Sequence, residues 1–335
     1  YNLMWLASFA LSGYGAWLLV EQITGNRPGA FAAGIAYGFS HYHLAQGMEH
    51  LDLINMQWIP LFLFFFHRAV QSGSKRDSLM AGIMMALCQL SVLYYAVYLT
   101  FFSLIYFIYL ALKRCLSPRR TLMKSFAIMI GVYLIITLPF QGVLIRSISE
   151  MESLYTSLED SSNWSADLLA FLMPPPQHSI LGPASEKLYD RFTGNPVERV
   201  VYPGFVVLAA ALLAVRRKKF WAIMALLFGL LSLGPYLHVA GRVANIPLPY
   251  YLLHHIPIAG AARVPSRFAA LSMLCLAVLM GAGVNRLWLR WGESLSKPVR
   301  LLFFALFLCA LSFEQMWIPY PTMADHVPEV YRRIA

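Results

Sequence analysis

Long apolar runs follow one another along almost the whole chain, and they constrain the fold more than any other feature. We count about ten runs long enough, or nearly long enough, to cross a hydrocarbon core about 30 Å thick as helices. Charged residues make up only 13% of the 335 residues, against roughly a quarter in soluble domains. The sequence therefore predicts an all-α polytopic membrane protein. The predicted spans are 2–20, 29–45, 53–67, 78–92, 94–112, 124–145, 201–215, 220–235, 267–285 and 299–318.

One long polar stretch divides these spans into two groups. The predicted organisation is a first set of transmembrane helices over 1–145, a partly helical outer loop over 146–200 and a second set of helices over 201–318. Residues 319–335 would begin a truncated outer region. The first residue, Tyr1, is not Met and already adjoins an apolar run, and residues 330–335 stop without a natural end, so we expect a fragment cut at both ends.

The net charge of +10 does not come from one basic patch, which argues against a nucleic acid as partner. Lys and Arg cluster instead in short turns between apolar runs, as membrane orientation produces, and carboxylates gather in the opposite turns. The predicted inner turns are those at Arg27, 68–76, 113–124, 216–219 and 286–300. The carboxylate-rich outer face is therefore where we expect an active site.

Several specific motifs are missing from the sequence. There is no Walker A loop, G-x-G-x-x-G, H-E-x-x-H, G-x-S-x-G or Asp-x-Asp, which weakens the case for an ATPase, a metalloprotease or a serine hydrolase. None of the four cysteines forms a Cys-x-x-Cys pair, so neither a disulfide framework nor a cysteine metal site is predicted.

The stretch 40–60 concentrates polar residues between two apolar runs, and it supplies the candidate catalytic residues Glu49, His50 and Asp52. Ionisable groups at membrane depth cost about 2.5–3.5 kcal/mol each on insertion scales, which favours a function for them. A Glu beside a His can act as acid or base, or can hold a divalent cation such as Mg²⁺ or Mn²⁺. The alternative is an interfacial loop in which these residues cap helix ends.

Two arginines at the outer start of a predicted span, Arg263 and Arg267, form a candidate phosphate site. Guanidinium groups beside the free N–H groups of a helix N-terminus bind anions, and on a membrane the natural anion is a lipid phosphate. The alternative is that Arg267 extends to the lipid headgroups.

The long outer loop offers Asp167, His178 and Glu198, and its carboxylates lie beside aromatic residues. Such pairs suit the hydroxyl groups of a sugar or an acceptor. They suit solvated caps of loops equally well.

At these residues the chain resembles the bacterial multi-pass glycosyltransferases of the GT-C superfamily. The resemblance is carried by AGIAYGFSHYHLAQGMEHLDLINMQWIPLFLFF, SADLLAFLMPPP, LSLGPYL, IPLPYYLLHHIP and RVPSRFAAL, in this order. The most similar subgroup contains the domain shared by Rhizobium lipopolysaccharide glycosyltransferases and protein mannosyltransferase-like proteins.

The resemblance implies an enzyme of the bacterial inner membrane, with its active side facing the periplasm. It would move a sugar from a polyprenyl-phosphate carrier to a lipid, glycan or protein acceptor. The family's main catalytic carboxylate lies in the first outer loop, which we expect upstream of Tyr1, so Glu49, His50 and Asp52 would be auxiliary. Arg263 and Arg267 match the stretch expected to bind the carrier phosphate.

Two other functions remain open from the sequence. A transporter or flippase of lipid-linked sugars would also need anion sites, but it predicts ionisable groups in the middle of the spans, where few occur. A non-catalytic membrane scaffold is the second alternative.

Overall fold

The computed structural model describes residues 2–150, 157–255 and 263–321, and α-helices dominate all three ranges. The predicted all-α class is confirmed. The helices are α1 Asn2–Thr24, α2 Arg27–Gly38, α3 His41–Glu49, α4 Trp58–Ser72, α5 Lys75–Ser91, α6 Leu93–Leu112, α7 Arg119–Glu150, α8 Leu158–Asn163, α9 Gly182–Tyr189, α10 Phe205–Leu212, α11 Lys219–Ser232, α12 Pro249–His254, α13 Ala269–Ser294 and α14 Lys297–Glu314. Short 3-10 helices cover Leu168–Phe171 and Pro265–Phe268.

Among the described residues, a β-hairpin lies between α11 and α12, within the region 201–318 that was predicted as the second set of helices. Strands β1 (Tyr236–Val239) and β2 (Arg242–Pro247) pair antiparallel. Their two-residue turn, Ala240-Gly241, has positive φ at both positions, 52° and 78°, as tight hairpin turns require.

Among the described residues, four helical segments are long and apolar enough to cross a membrane, which indicates a membrane protein. They are Asn2–Thr24, Leu93–Leu112, Arg119–Gly142 and Pro265–Ser294. The number of about ten spans stays a prediction, because several predicted spans are shorter or divided. The segment 29–45 is split into α2 and α3 at Ser40, whose side chain accepts a hydrogen bond from the His43 N–H and so begins a new helix. In the segment 201–215, α10 covers only Phe205–Leu212.

The loops and helix ends predicted to be on the same side contact one another. At what we call the basic end, the Lys218 ammonium donates to the Ile23 carbonyl, and Arg286 donates to the Leu213 carbonyl. At the opposite end, which we call the site end, the Trp317 indole donates to His41. These contacts join segments predicted to share one side, while the alternation of the spans across a membrane stays a prediction.

Glycines allow α1, α2 and α13 to pack at backbone distance, as small residues do between membrane helices. A Cβ atom added to Gly34 would lie 2.7 Å from the Gly13 carbonyl oxygen. A Cβ atom on Gly29 would collide with the Gly281 carbonyl oxygen. These three helices form one tightly packed unit.

An aromatic cluster joins α6 to α11. The Tyr109 ring stacks on Phe220 with 4.4 Å between ring centroids, and Phe102 packs at 5.8 Å from both Trp221 and Phe228. Such pairs contribute about 0.5–1.5 kcal/mol beyond the burial of their area.

The two predicted outer segments, 146–200 and 319–335, belong only in part to the residues that the structure describes. The segment 146–200 includes the end of α7, α8, a 3-10 helix and α9, while 151–156 lie outside the described residues. Of the predicted outer region 319–335, only 319–321 belong to the described residues.

Candidate functional site

A carboxylate at the site end is held by the start of α13. Glu198 is only 2% exposed, and its own N–H donates to the Asn195 side chain at 2.8 Å, which fixes the turn that carries it. Ser266 donates its hydroxyl to Oε2 of Glu198 at 2.5 Å. Arg267 donates Nε–H to Oε1 at 2.9 Å. This is a buried ion pair with an additional hydrogen bond.

The 3-10 helix Pro265–Phe268 brings Ser266 and Arg267 to this carboxylate. Its backbone is fixed from outside, because the Ser266 N–H donates to the Trp164 carbonyl at 3.2 Å. Neighbouring residues of the chain therefore contact both oxygens of one carboxylate.

The Arg267 guanidinium also lies over the ring of Tyr94, with 5.0 Å from its central carbon to the ring centroid. Arginine on an aromatic face gains a cation–π attraction. Among the described residues, its Nη1 and Nη2 atoms have no hydrogen-bond partner. Arg267 is thus oriented through Nε while its outer nitrogens stay available to an anion.

His50 ends α3 and approaches the same carboxylate. Its Nε2 atom lies 3.9 Å from Oε1 of Glu198, which is longer than a hydrogen bond. The Nε2 atom is buried and has no hydrogen-bond partner among the described residues. The imidazole is therefore uncommitted at the nitrogen that faces the ion pair. We refer to His50, Glu198, Ser266 and Arg267 as the Glu198 cluster.

Tyrosines line the helices behind the Glu198 cluster. The hydroxyl groups of Tyr42 and Tyr95 lie 3.2 Å apart, and Tyr95 also donates to the Leu53 carbonyl at 3.1 Å. The Tyr98 ring stacks on Phe268 at 3.8 Å between centroids. An aromatic wall with few, fixed polar groups is typical of ligand sites.

Three predicted site residues are close in sequence to members of the Glu198 cluster but do not belong to it. Glu49, Asp52 and Arg263 are exposed, and in the described ranges none of them forms an ion pair. Glu49 and Asp52 flank His50 in sequence. Arg263 lies four residues before Arg267, next to the segment 256–262, which lies outside the described residues. Their predicted roles stay predictions.

Asp167 holds the β-hairpin against the outer loop. It is 2% exposed and accepts hydrogen bonds from the backbone N–H groups of Leu169 at 2.9 Å, Ala240 at 3.1 Å and Gly241 at 2.8 Å. Its carboxylate therefore already serves a structural purpose, the holding of the hairpin turn. A sugar-binding role for Asp167 stays a prediction.

His178 lies in a separate buried group at the site end. It is 1% exposed, and burial lowers its pKa from the ordinary range. Its Nδ1 atom accepts from the N–H groups of Ile180 at 3.2 Å and Leu181 at 3.0 Å. The neutral ring must then carry its proton on Nε2, which faces away from that turn. The His178 ring lies 5.9 Å from the His41 ring.

Ser266, Tyr42 and Tyr95 were not predicted from the sequence as neighbours of the candidate residues. Ser266 stands between Pro265 and Arg267, where a serine commonly caps a helix. Its hydrogen bond to Glu198, 68 residues away, could not be predicted from the neighbouring residues. Tyr42 and Tyr95 lie within apolar runs, where a tyrosine is ordinarily a packing residue. Across the described ranges, no three His, Cys, Asp or Glu side chains converge in a way that could hold a metal ion.

Comparison with curated proteins finds no match, and comparison with solved structures also finds none. Residues 1–311 match a protein family described as Domain of unknown function (DUF6311). This match covers far more than half of the 335 residues, and the chain therefore belongs to the DUF6311 family.

Proposed function

We propose that this protein is a membrane glycosyltransferase that moves a sugar from a polyprenyl-phosphate carrier to a lipid, glycan or protein acceptor at the outer membrane face. The observation that carries the proposal is the orientation of Arg267. Glu198 engages its Nε atom, Tyr94 supports its face, and its two outer nitrogens have no partner among the described residues. This geometry suits an oxyanion that arrives from the membrane surface.

The chemistry needs one anion site and one base. The acceptor oxygen bonds to the anomeric carbon of the sugar while the bond from that carbon to the carrier phosphate breaks. The electron pair leaves with the phosphate, whose charge Arg267 stabilises with help from the exposed Arg263. The acceptor hydroxyl loses its proton to a base.

His50 is the best base among the described residues of the cluster. Its Nε2 atom has no hydrogen-bond partner, whereas both oxygens of Glu198 are already engaged by Ser266 and Arg267. Glu198 is therefore a positioning residue in this proposal: it orients Arg267, and its negative charge, 3.9 Å from His50, would stabilise the imidazolium that forms.

The test measures binding of a polyprenyl phosphate to the purified protein in detergent. Replacing both arginines, Arg263→Ala with Arg267→Ala, is expected to weaken binding at least about tenfold, since each charge-assisted hydrogen bond contributes about 1.5–3 kcal/mol. Arg191→Ala with Arg242→Ala is the matched control, because it removes two exposed arginines that lie outside the cluster.

Arg263→Ala alone separates binding from folding, because this exposed residue has no ion pair among the described residues. It is expected to weaken phosphate binding without changing the elution profile. Equal binding by wild type and the double variant would overturn the phosphate site. Binding without any transfer to an added acceptor would favour a transporter of lipid-linked sugars.

A further inference from the structure

An open apolar groove runs between α10, α11 and α13. Its volume is about 630 Å³, and its walls include Leu208 and Leu212 of α10, Ile223 and Leu226 of α11, and Leu276 of α13. None of the described residues that line it is charged. Leu212, Ile223 and Leu226 are each more than 60% exposed, so no described part of the chain covers the groove.

The end of this groove lies beside a turn of basic residues. Val215 lines the groove, and Arg216, Arg217 and Lys219 follow directly, all exposed. Arg286 of α13 joins them, because its Nη1 atom donates to the Leu213 carbonyl at 3.0 Å. These four cations form what we call the basic turn.

The described part of the chain does not neutralise the charges of the basic turn. Within the described ranges, none of Arg216, Arg217, Lys219 and Arg286 forms an ion pair with a carboxylate. The neighbouring Lys218 differs, since its ammonium is used to hold α1 through the Ile23 carbonyl at 3.0 Å. The basic turn therefore places positive charge that no described carboxylate compensates at one end of the apolar groove.

Only a molecule with both an apolar chain and a negatively charged head group can fill the groove and also neutralise the basic turn. A free phosphate would use the cations and leave the groove empty. A zwitterionic lipid would fill the groove, but it carries a positive charge beside the arginines. We propose that the groove and the basic turn bind an anionic phospholipid, with an acyl chain between α10 and α11 and the phosphate against Arg216, Arg217, Lys219 and Arg286.

Physical principle supports the pairing of these two features. Basic pockets between membrane helices bind anionic head groups, and each Lys or Arg near such a surface contributes about 1 kcal/mol, or roughly fivefold in affinity. The site lies at the basic end, opposite the Glu198 cluster, so it does not depend on the proposed enzymatic function.

The experiment is native mass spectrometry of the full-length protein in detergent, with phosphatidylglycerol and phosphatidylcholine of identical acyl chains. We expect at least about a tenfold preference for phosphatidylglycerol. The variant R216Q/R217Q/K219Q should lose this preference. The matched control K113Q/R119Q/R120Q removes the same number and kind of charges from another exposed turn and should keep it.

A second variant tests the groove without changing charge. Gly229 lines the groove, and a Cβ atom there would meet nothing closer than the Ser272 hydroxyl at 3.5 Å. Gly229→Leu should therefore fold, fill part of the groove and weaken the binding of both lipids.

Three outcomes would overturn the proposal. The first is equal binding of the two lipids by wild type. The second is displacement of phosphatidylglycerol by inorganic phosphate at matched concentration, which would leave the cations alone as the site. The third is a lipid-free dimer that Gly229→Leu dissociates, which would assign the groove to a second copy of the chain.

Discussion

Glu198 and Arg267 are 69 residues apart in sequence, yet the Arg267 Nε atom lies 2.9 Å from the Glu198 carboxylate, buried at the end of the helix bundle. The pair connects the loop before α10 to the start of α13. It is also the contact around which Ser266, His50 and Tyr94 are arranged.

Removing one partner of this pair should be costly. Glu198→Ala would leave the guanidinium of Arg267, a side chain only 13% exposed, without its carboxylate, and we expect the free energy of unfolding to fall by about 3–5 kcal/mol. Thermal unfolding in detergent measures the loss. The double variant E198Q/R267M should be more stable than E198A, because it removes both charges. A loss below about 1 kcal/mol in E198A would contradict a buried, interacting pair.

The stability of the protein should fall as the pH drops through about 6.5. Burial lowers the pKa of His178, whereas an unfolded histidine titrates near 6.5, so the unfolded state binds more protons below that pH. His41 and Glu314 are the titratable groups that face His178. His178→Asn keeps an acceptor for the Ile180 and Leu181 N–H groups but cannot be protonated.

The measurement for His178 is the unfolding midpoint between about pH 7.5 and 5.5, which brackets the ordinary histidine pKa. The asparagine variant should lose less stability than wild type over this interval. If both proteins lose the same amount, protonation of His178 does not contribute to acid sensitivity.

Gly204 should not tolerate a side chain. Its φ of 101° is unfavourable for other residues, and a Cβ atom would lie 2.7 Å from an oxygen of Glu314. That carboxylate accepts from the N–H groups of Phe205 and Val206 at the start of α10. Gly204→Ala should therefore lower the free energy of unfolding by about 1–3 kcal/mol.

Gly131→Ala is the matched control for Gly204→Ala. Nothing lies within 4 Å of a Cβ atom at Gly131, which is in the middle of α7. There alanine should be neutral or stabilise the helix by about 0.5–1 kcal/mol. Equal effects of the two substitutions in thermal unfolding would contradict the strain assigned to Gly204.

The helical class was predictable because it follows from composition and run length alone. The exact division of the chain into helices was not, because local hydrogen bonds decide it. Ser40 accepts from the His43 N–H and divides one apolar run into two helices. The hairpin at Ala240-Gly241 depends on Asp167, more than 70 residues away in sequence.

The candidate site was predictable in residue type but not in arrangement. His50, Glu198 and Arg267 stand out as ionisable groups at the ends of apolar runs, yet nothing local in the sequence pairs them. Glu49 and Asp52 are also ionisable residues at the end of an apolar run, yet the structure leaves both exposed. Which of several neighbouring polar residues faces inward depends on the direction in which α3 ends, and that is a tertiary property.

The glycine contacts between α1, α2 and α13 have a mechanical consequence for the Glu198 cluster. Arg267 lies just before the first residue of α13. His50 directly follows α3, and α3 contacts α1 through the hydrogen bond that the Trp5 indole donates to the Gly47 carbonyl at 3.0 Å. Since helices in backbone contact cannot slide without collision, these two side chains share one rigid frame. A molecule that enters the cluster would therefore meet Arg267 and His50 at a spacing that the packing of α1, α2 and α13 sets.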